Sequence, residues 1–317
     1  MENNIPLSPP DDKLFPLYEI DPFLSTGIES ISLDTTNEEQ IFILFHRGIR
    51  SSVYVGTHLL AHIPKIINKG TEHAAVVMLY RHILDLGDSI STLFRFGSVS
   101  AISILIRSLF ESWLSFEFVL EGETLQKDRS LAYWAHYQIK RLEMFKKYDP
   151  NTEPGKAFHK ILDSTPELCG TKFSRGDHST DRKGIESILN KDKFRPFYEK
   201  YKSLKKHKKS RHWYSLCSSA TDLRSLAITL RLEAEYAIFY SHLSEVAHSV
   251  DVITDRLSVS KEGKTLMMPL RGPANRNLKM WATTTSMYLN KCHHLIIQSY
   301  FPPDDPLRKT FKDWYIA

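Results

Sequence analysis

The sequence is poor in cysteine. Its three cysteines, Cys169, Cys217 and Cys292, are odd in number, far apart and never in a C-x-x-C pair. That excludes a disulfide framework and a thiolate zinc site, and it points to a reducing compartment. The sequence also lacks any apolar run approaching the roughly 20 residues that span a bilayer. The first residues, MENNIPLSPPDDK, put acids and prolines where a secretory leader needs a basic stretch followed by an apolar one. These absences predict a cytoplasmic protein with no membrane association. Glycine is scarce, at 13 of 317 residues. None of it falls in a P-loop, a G-x-G-x-x-G or a G-x-S-x-G pattern, so nucleotide hydrolysis, dinucleotide binding and α/β-hydrolase chemistry have no support.

What is present is an ordinary globular composition, with 42% hydrophobic and 25% charged residues, enough to build a packed core without staples. The net charge of +5 is unevenly spread. Residues 191–211 hold ten basic and two acidic side chains, a local +8 that leaves −3 for the rest. A polyanion would therefore be met locally and not over the whole surface.

Helical periodicity dominates. Thr36 with Glu39 forms a capping-box pattern ahead of a helix expected to run to about 68. Further helices are expected over 72–96, 98–120, 125–148, 222–248 and 277–300. The segment 98–120 is apolar nearly all round and is expected to be the central helix. Strand signals are confined to 257–273, where Glu262-Gly263 offers the turn of a small hairpin near 257–270. The fold class expected is therefore all-α, a multi-helix bundle. An N-terminal arm (1–35) precedes a helical domain (36–300) with an insertion at 150–212 that carries the basic stretch, and a tail (301–317) follows.

Two polar rows interrupt the apolar helices. On the central helix Arg107 and Glu111 stand four residues apart, in line with Ser103 and Ser115. On the 222–248 helix Tyr236, Tyr240, Ser244 and His248 repeat every fourth residue, with His248 near the C-terminal end, where the dipole favours imidazolium. Each row reads either as a core network that fixes helix register or as a functional site. A sealed Arg107–Glu111 pair would cost about 3–5 kcal/mol if one partner were removed. Arg107–Glu111 and Ser244–His248 are expected to lie on adjacent helices, with at least one direct polar contact between the two rows.

Three segments together resemble a bacterial all-helical family of unknown function. They are Ile106-Arg107-Ser108-Leu109-Phe110-Glu111, then His212-Trp213-Tyr214-Ser215 with Ser218, then Tyr236, Tyr240, Leu243-Ser244 and Ala247-His248. The resemblance covers about 71–300. In helical shape it is loosely similar to the HEPN superfamily, which includes metal-independent ribonucleases of toxin and phage-defence systems. Those enzymes carry an arginine, four to six residues and a histidine, which activate a ribose hydroxyl and stabilise the phosphate. Here that spacing occurs only at Arg129 and His136, and 17 arginines and 14 histidines give about two such matches by chance. No arginine stands at that distance before His248, so Arg107 would have to supply the cation from another helix.

Metal chemistry finds half-motifs only. Glu245-Val246-Ala247-His248 is one of the two Glu-x-x-His units that a di-iron bundle needs. His58 and His62 lack the glutamate of H-E-x-x-H, and His293-His294 point to different faces. No cofactor or metal is expected. The basic stretch interleaves lysines with aromatics, a pattern that suits phosphate neutralisation and base stacking as well as a solvated surface. The candidate nucleic-acid contacts are Lys202, Lys205, Lys206, Lys208, Lys209, Arg211 and Trp213. The leading expectation is an RNA-directed module of toxin or phage-defence type. In it His248 is the general acid/base, Arg107 holds the scissile phosphate, and Glu111 and Ser244 orient them. The other expectation is a non-enzymatic interaction or scaffold protein with the same residues as an internal polar network, docking a protein partner or a second copy.

Overall fold

The helix Ile102–Leu120 (α3) is apolar on most of its circumference, and its Ile106, Leu109, Phe110, Trp113, Leu114, Phe116 and Phe118 are buried. A helix without a polar face finds its minimum energy in the middle of a bundle. The computed structural model describes residues 38–63, 73–165, 178–209, 211–240, 257–259, 263, 265–267, 277–306 and 308–310. There α3 is packed by Ala74–Arg95 (α2), Glu123–Tyr148 (α4) and, from the far end of the sequence, Leu278–Tyr300, while Glu38–His62 (α1) packs on α2 and on that last helix. Thr36 of the capping pattern and the whole of the expected arm lie outside the described residues. The first helix ends by His62, short of the expected 68.

Close crossing of α1 with its neighbours depends on Gly56. A Cβ there would come 2.3 Å from Leu84 and 2.6 Å from the His293 ring. Between α3 and α4 the chain reverses at Gly122, whose φ of +79° is open to glycine at little cost. The last carbonyls of α3 are then capped from outside. The Arg129 guanidinium donates to the carbonyls of Phe118 and Glu121 and lies over the Phe118 ring, its Cζ 3.9 Å from the centroid.

The expected insertion is helical. Glu153–Asp163 (α5), Ser179–Leu189 (α6) and Arg195–Lys206 (α7) follow α4. Ile185, Leu189, Phe194 and Tyr201 join Leu131, Ala135, Ile139 and Leu142 of α4 in a second, smaller apolar core. A 3-10 turn, Trp213–Leu216, returns the chain to the main core.

The expected single helix over 222–248 is broken. Leu223–Thr229 (α8) begins on a capping box: Asp222 accepts from the Ser225 backbone at 2.7 Å, and the Ser225 hydroxyl accepts from the Asp222 backbone at 3.0 Å. It ends at Arg231, a non-glycine residue at φ +60°. The Leu232 amide reaches back to the Ala227 carbonyl at 2.8 Å, a left-handed C-terminal lock. The chain restarts as one helical turn, Glu233–Glu235, and passes into a π turn, Tyr236–Tyr240. The hairpin is present as Leu257–Val259 (β1) antiparallel to Thr265–Met267 (β2), with Ser258 opposite Leu266 and Gly263 at φ +78° between the strands. Leu278–Tyr300 (α9) closes the bundle against α1 and α3, and among the described residues the fold is all-α apart from that hairpin.

Candidate functional site

The break after α8 is what builds the site. It swings the tyrosine stripe onto the polar row of α3. Arg107 donates from Nε to Glu111 Oε1 at 3.0 Å and from Nη2 to the Tyr240 hydroxyl at 2.9 Å. Its Cζ also lies 4.7 Å from the Tyr240 ring centroid. Tyr236 stacks behind, ring centroids 4.8 Å apart at 21°. In a π turn, residues four apart come almost into register, so the two rings eclipse. Sequence spacing alone assigned the stripe to a regular helix and left both tyrosines out of the candidate set. The every-fourth-residue repeat was the available signal.

The third segment arrives on the 3-10 turn. Tyr214 is buried, and the exposed His212 stacks on it at 5.1 Å and 14°. Burial pushes the Tyr214 hydroxyl well above its usual range, and the nearby Asp222, Tyr240, Glu111 and Tyr236 push it further. Tyr236 is raised by burial and by Tyr240 and Asp222. At Arg107 burial works against the charge, but Tyr240 and Glu111 outweigh it and the net shift is upward. The arrangement is thus a fixed cation held by the Tyr240 hydroxyl and the Glu111 carboxyl, with the Tyr236 ring stacked behind. It can hold a small anion's charge or fasten two elements together. Its two ends differ in exposure: the Arg107 side chain is 15% accessible and Glu111 41%. The pair stands at the rim of the core and is not sealed inside it.

Ser244 and His248 lie outside the described residues. So does the Glu245–His248 half-motif. Ser103 is buried at the start of the α3 row, with its hydroxyl 3.4 Å from the Ser100 carbonyl. Arg129 and His136, the one arginine–histidine pair at ribonuclease spacing, are both committed to backbone. Arg129 caps α3, and His136 Nε2 donates to the Arg211 carbonyl at 3.0 Å. Burial first, then Lys140, takes the His136 imidazole down to about 4, so it is neutral.

On the basic stretch Lys202, Lys205, Lys206, Lys208, Lys209 and Arg211 are exposed. Lys202 pairs with Glu199. Lys205 and the Tyr201 hydroxyl both donate to Glu143 of α4 at 2.9 Å. They hold that carboxyl down to about 2, although burial alone would raise it. The expectation for Trp213 needs correcting. It is 7% accessible and packs against Phe118 at 5.6 Å and Tyr133 at 5.2 Å, so neither ring face is open to a base. An indole buries a large apolar area, and the turn that carries it points it into the main core.

The remaining candidates are structural. His62 Nδ1 donates to the His58 carbonyl at 2.8 Å. His293 is buried, with Nδ1 2.8 Å from the Tyr80 hydroxyl and Nε2 2.8 Å from the Ser52 carbonyl. Burial lifts the Cys217 thiol to about 11, which leaves no thiolate at neutral pH. Among the described residues no group of three or more His, Cys, Asp or Glu could hold a metal ion, and no helix is long and apolar enough to cross a membrane.

A family model matches residues 73–265, a span that contains Arg107, Tyr214 and Tyr240. The chain belongs to DUF5677, a family of unknown function. No curated protein and no solved structure matches it. The DUF5677 match stops short of the expected 300 and leaves α9 outside, although α9 packs on α3.

Proposed function

We propose that this DUF5677 chain binds single-stranded RNA and cleaves it without a metal, in the manner of helical toxin and phage-defence nucleases. The observation that carries the reading is continuity. The exposed cationic run of α7 and the residues after it, through Arg211 and His212, leads straight into the turn that carries Tyr214, whose hydroxyl is pushed upward by burial and then by Asp222, Tyr240 and Glu111. A strand drawn along the lysines by charge would be delivered to the Arg107 cluster. In this reading Arg107 neutralises the scissile phosphate, and Glu111 and Tyr240 hold its planar fork. His248 removes the proton from the ribose 2′-hydroxyl as that oxygen attacks phosphorus, then returns a proton to the departing 5′-oxygen, with Ser244 orienting the imidazole.

A second reading has its own support. Two of the Arg107 donor groups are already engaged by Glu111 and Tyr240. A guanidinium so engaged fastens the 233–240 turn to α3, and the protein then acts as a scaffold for a protein partner. Purified protein incubated with single-stranded RNA in EDTA separates the two. Cleavage that is lost in His248→Ala and in Arg107→Lys, with helical circular dichroism retained, is expected for the nuclease. A wild-type protein that cleaves no RNA decides for the scaffold.

A further inference from the structure

The basic stretch has a counterpart on α4. His136, Lys140 and Glu143 stand at i, i+4 and i+7, on one face of that helix. His136 Nε2 holds the Arg211 carbonyl at 3.0 Å. Further along the face, three donors converge on one carboxylate. Lys205 Nζ and the Tyr201 hydroxyl each donate to Glu143 Oε1 at 2.9 Å, and Lys140 Nζ donates to Oε2 at 3.3 Å. The Arg211 guanidinium lies over the Tyr201 ring, its Cζ 6.0 Å from the centroid. Charge does not balance here, since two lysines face a single acid and Arg211 adds a cation alongside. The lysines are also open to solvent: Lys140 is 51% accessible and Lys205 56%, against 32% for Glu143. Ion pairs of that exposure are weak and exchange partners readily. Tyr201 is buried, and burial together with Glu143 pushes its hydroxyl up to about 12, so it stays a donor.

We propose that Lys140, Lys205 and Tyr201 form a phosphate subsite on the RNA path, and that Glu143 occupies it until a backbone phosphate displaces it. A phosphodiester offers two non-bridging oxygens on one centre, as a carboxylate does, so donors placed for one suit the other. The inference rests on the RNA reading for the identity of the anion, and not on the cleavage step. It adds Lys140, from outside the basic stretch, to the residues that meet the strand. It also gives Glu143 a part as competitor: a phosphate that enters must take over both of its ion pairs. Glu143 holds its charge for that competition, because Lys205, Tyr201 and Lys140 outweigh the burial that works against it.

A short single-stranded 2′-O-methyl oligonucleotide tests this, because it has no free 2′-hydroxyl and cannot be cut by the proposed chemistry. Its affinity for the full chain is read by fluorescence anisotropy across a salt series, with circular dichroism checking the fold of each variant. Displacing two exposed ion pairs costs wild type about three- to tenfold in affinity, so Glu143→Gln should bind that much more tightly. Glu153→Gln, which removes the same charge from α5, should stay at the wild-type level. Lys140→Gln should bind more weakly, with a salt slope flatter by about 0.7, the share of one phosphate contact. Wild type that binds, with Glu143→Gln no tighter, overturns this inference and leaves the RNA reading standing; Glu143 is then only a brace between α4 and α7. An equal gain in Glu153→Gln overturns it too, since net charge alone would explain the effect. An oligonucleotide bound by none of the proteins overturns both this inference and the RNA reading. Should Glu143→Gln fail to fold, Lys140→Gln decides alone: an unchanged slope overturns the proposal, and a flatter one supports it.

Discussion

At Arg107 the net gain from pairing is set by what remains when one partner is removed. A sealed pair stripped of its carboxylate would cost about 3–5 kcal/mol. Glu111 is 41% accessible, however, and Tyr240 keeps its hold on Nη2. Glu111→Ala is therefore expected to cost only about 1–2 kcal/mol, read as a fall in melting temperature. A cost near the sealed-pair value would mean that the tyrosine contributes nothing. His293 behaves in the opposite way. Burial holds its imidazole neutral, down from 6.5 to about 4, while the Ser52 carbonyl resists the shift. Between those values the unfolded chain binds more protons than the folded one. Stability is then fully present above about 6.5 and is lost as pH falls toward 4. His136 shares the window. Melting temperature followed from pH 7.5 to 4.5 should drop in wild type. The His136→Gln protein should show a shallower slope, because one of the two proton-uptake sites is gone. An unchanged slope would mean that His136 is not buried neutral.

Among the elements, the segment after Asp222 separates what a pattern conveys from what it does not. Apolar periodicity runs unbroken through Leu226, Leu230 and Leu232, so a single helix is the natural reading. The break rests on one backbone angle at Arg231, a residue whose identity gives no warning, since a left-handed C-terminus is usually signalled by glycine or asparagine. That the two polar rows would meet was expected, but that Tyr240 would be the residue bonded to Arg107 was not legible, because the break at Arg231 sets how the stripe approaches α3. By contrast the Arg107–Glu111 pair needed only i, i+4 spacing inside one helix, and it was legible. Arg231→Gly should relieve the positive-φ cost and stabilise the protein by about 1 kcal/mol, read as a rise in the denaturation midpoint. If it destabilises, the break is held by the arginine side chain and not tolerated in spite of it. The 200–212 segment makes a prediction of its own under the RNA reading. If about five of its seven basic residues meet phosphates, log affinity for single-stranded RNA falls against log salt with a slope of roughly −3.5. Replacing Lys205, Lys206, Lys208 and Lys209 with Gln should flatten that slope. Unchanged affinity would remove the basic face from the mechanism.

For the molecule as a whole, the all-α class and the central place of α3 were readable because a helix apolar all round has nowhere else to go. Composition said nothing of which distant helix would cover it, because one apolar stripe fits many partners. The answer is α9, separated from α3 by almost half of the chain and lying beyond the end of the DUF5677 match at residue 265. It buries Trp281, Ala282, Tyr288, Leu289, Cys292, Ile296 and Ile297 in the main core. Its His293 joins Tyr80 of α2 to the Ser52 backbone of α1, and its Lys291 reaches the 233–240 turn. Cutting the chain after residue 265 would leave the matching faces of α1, α2 and α3 in water. Each large side chain so exposed forfeits about 1.5–3 kcal/mol of burial, and a few of these exceed the whole margin of a typical fold. The truncated chain is therefore expected to lose cooperative thermal unfolding and to bind a hydrophobic dye. Adding back a peptide of residues 277–306 in trans should restore part of the transition. A sharp, dye-free melt from the truncated chain would show instead that residues 1–265 carry a complete core of their own, and that α9 is an accessory to it.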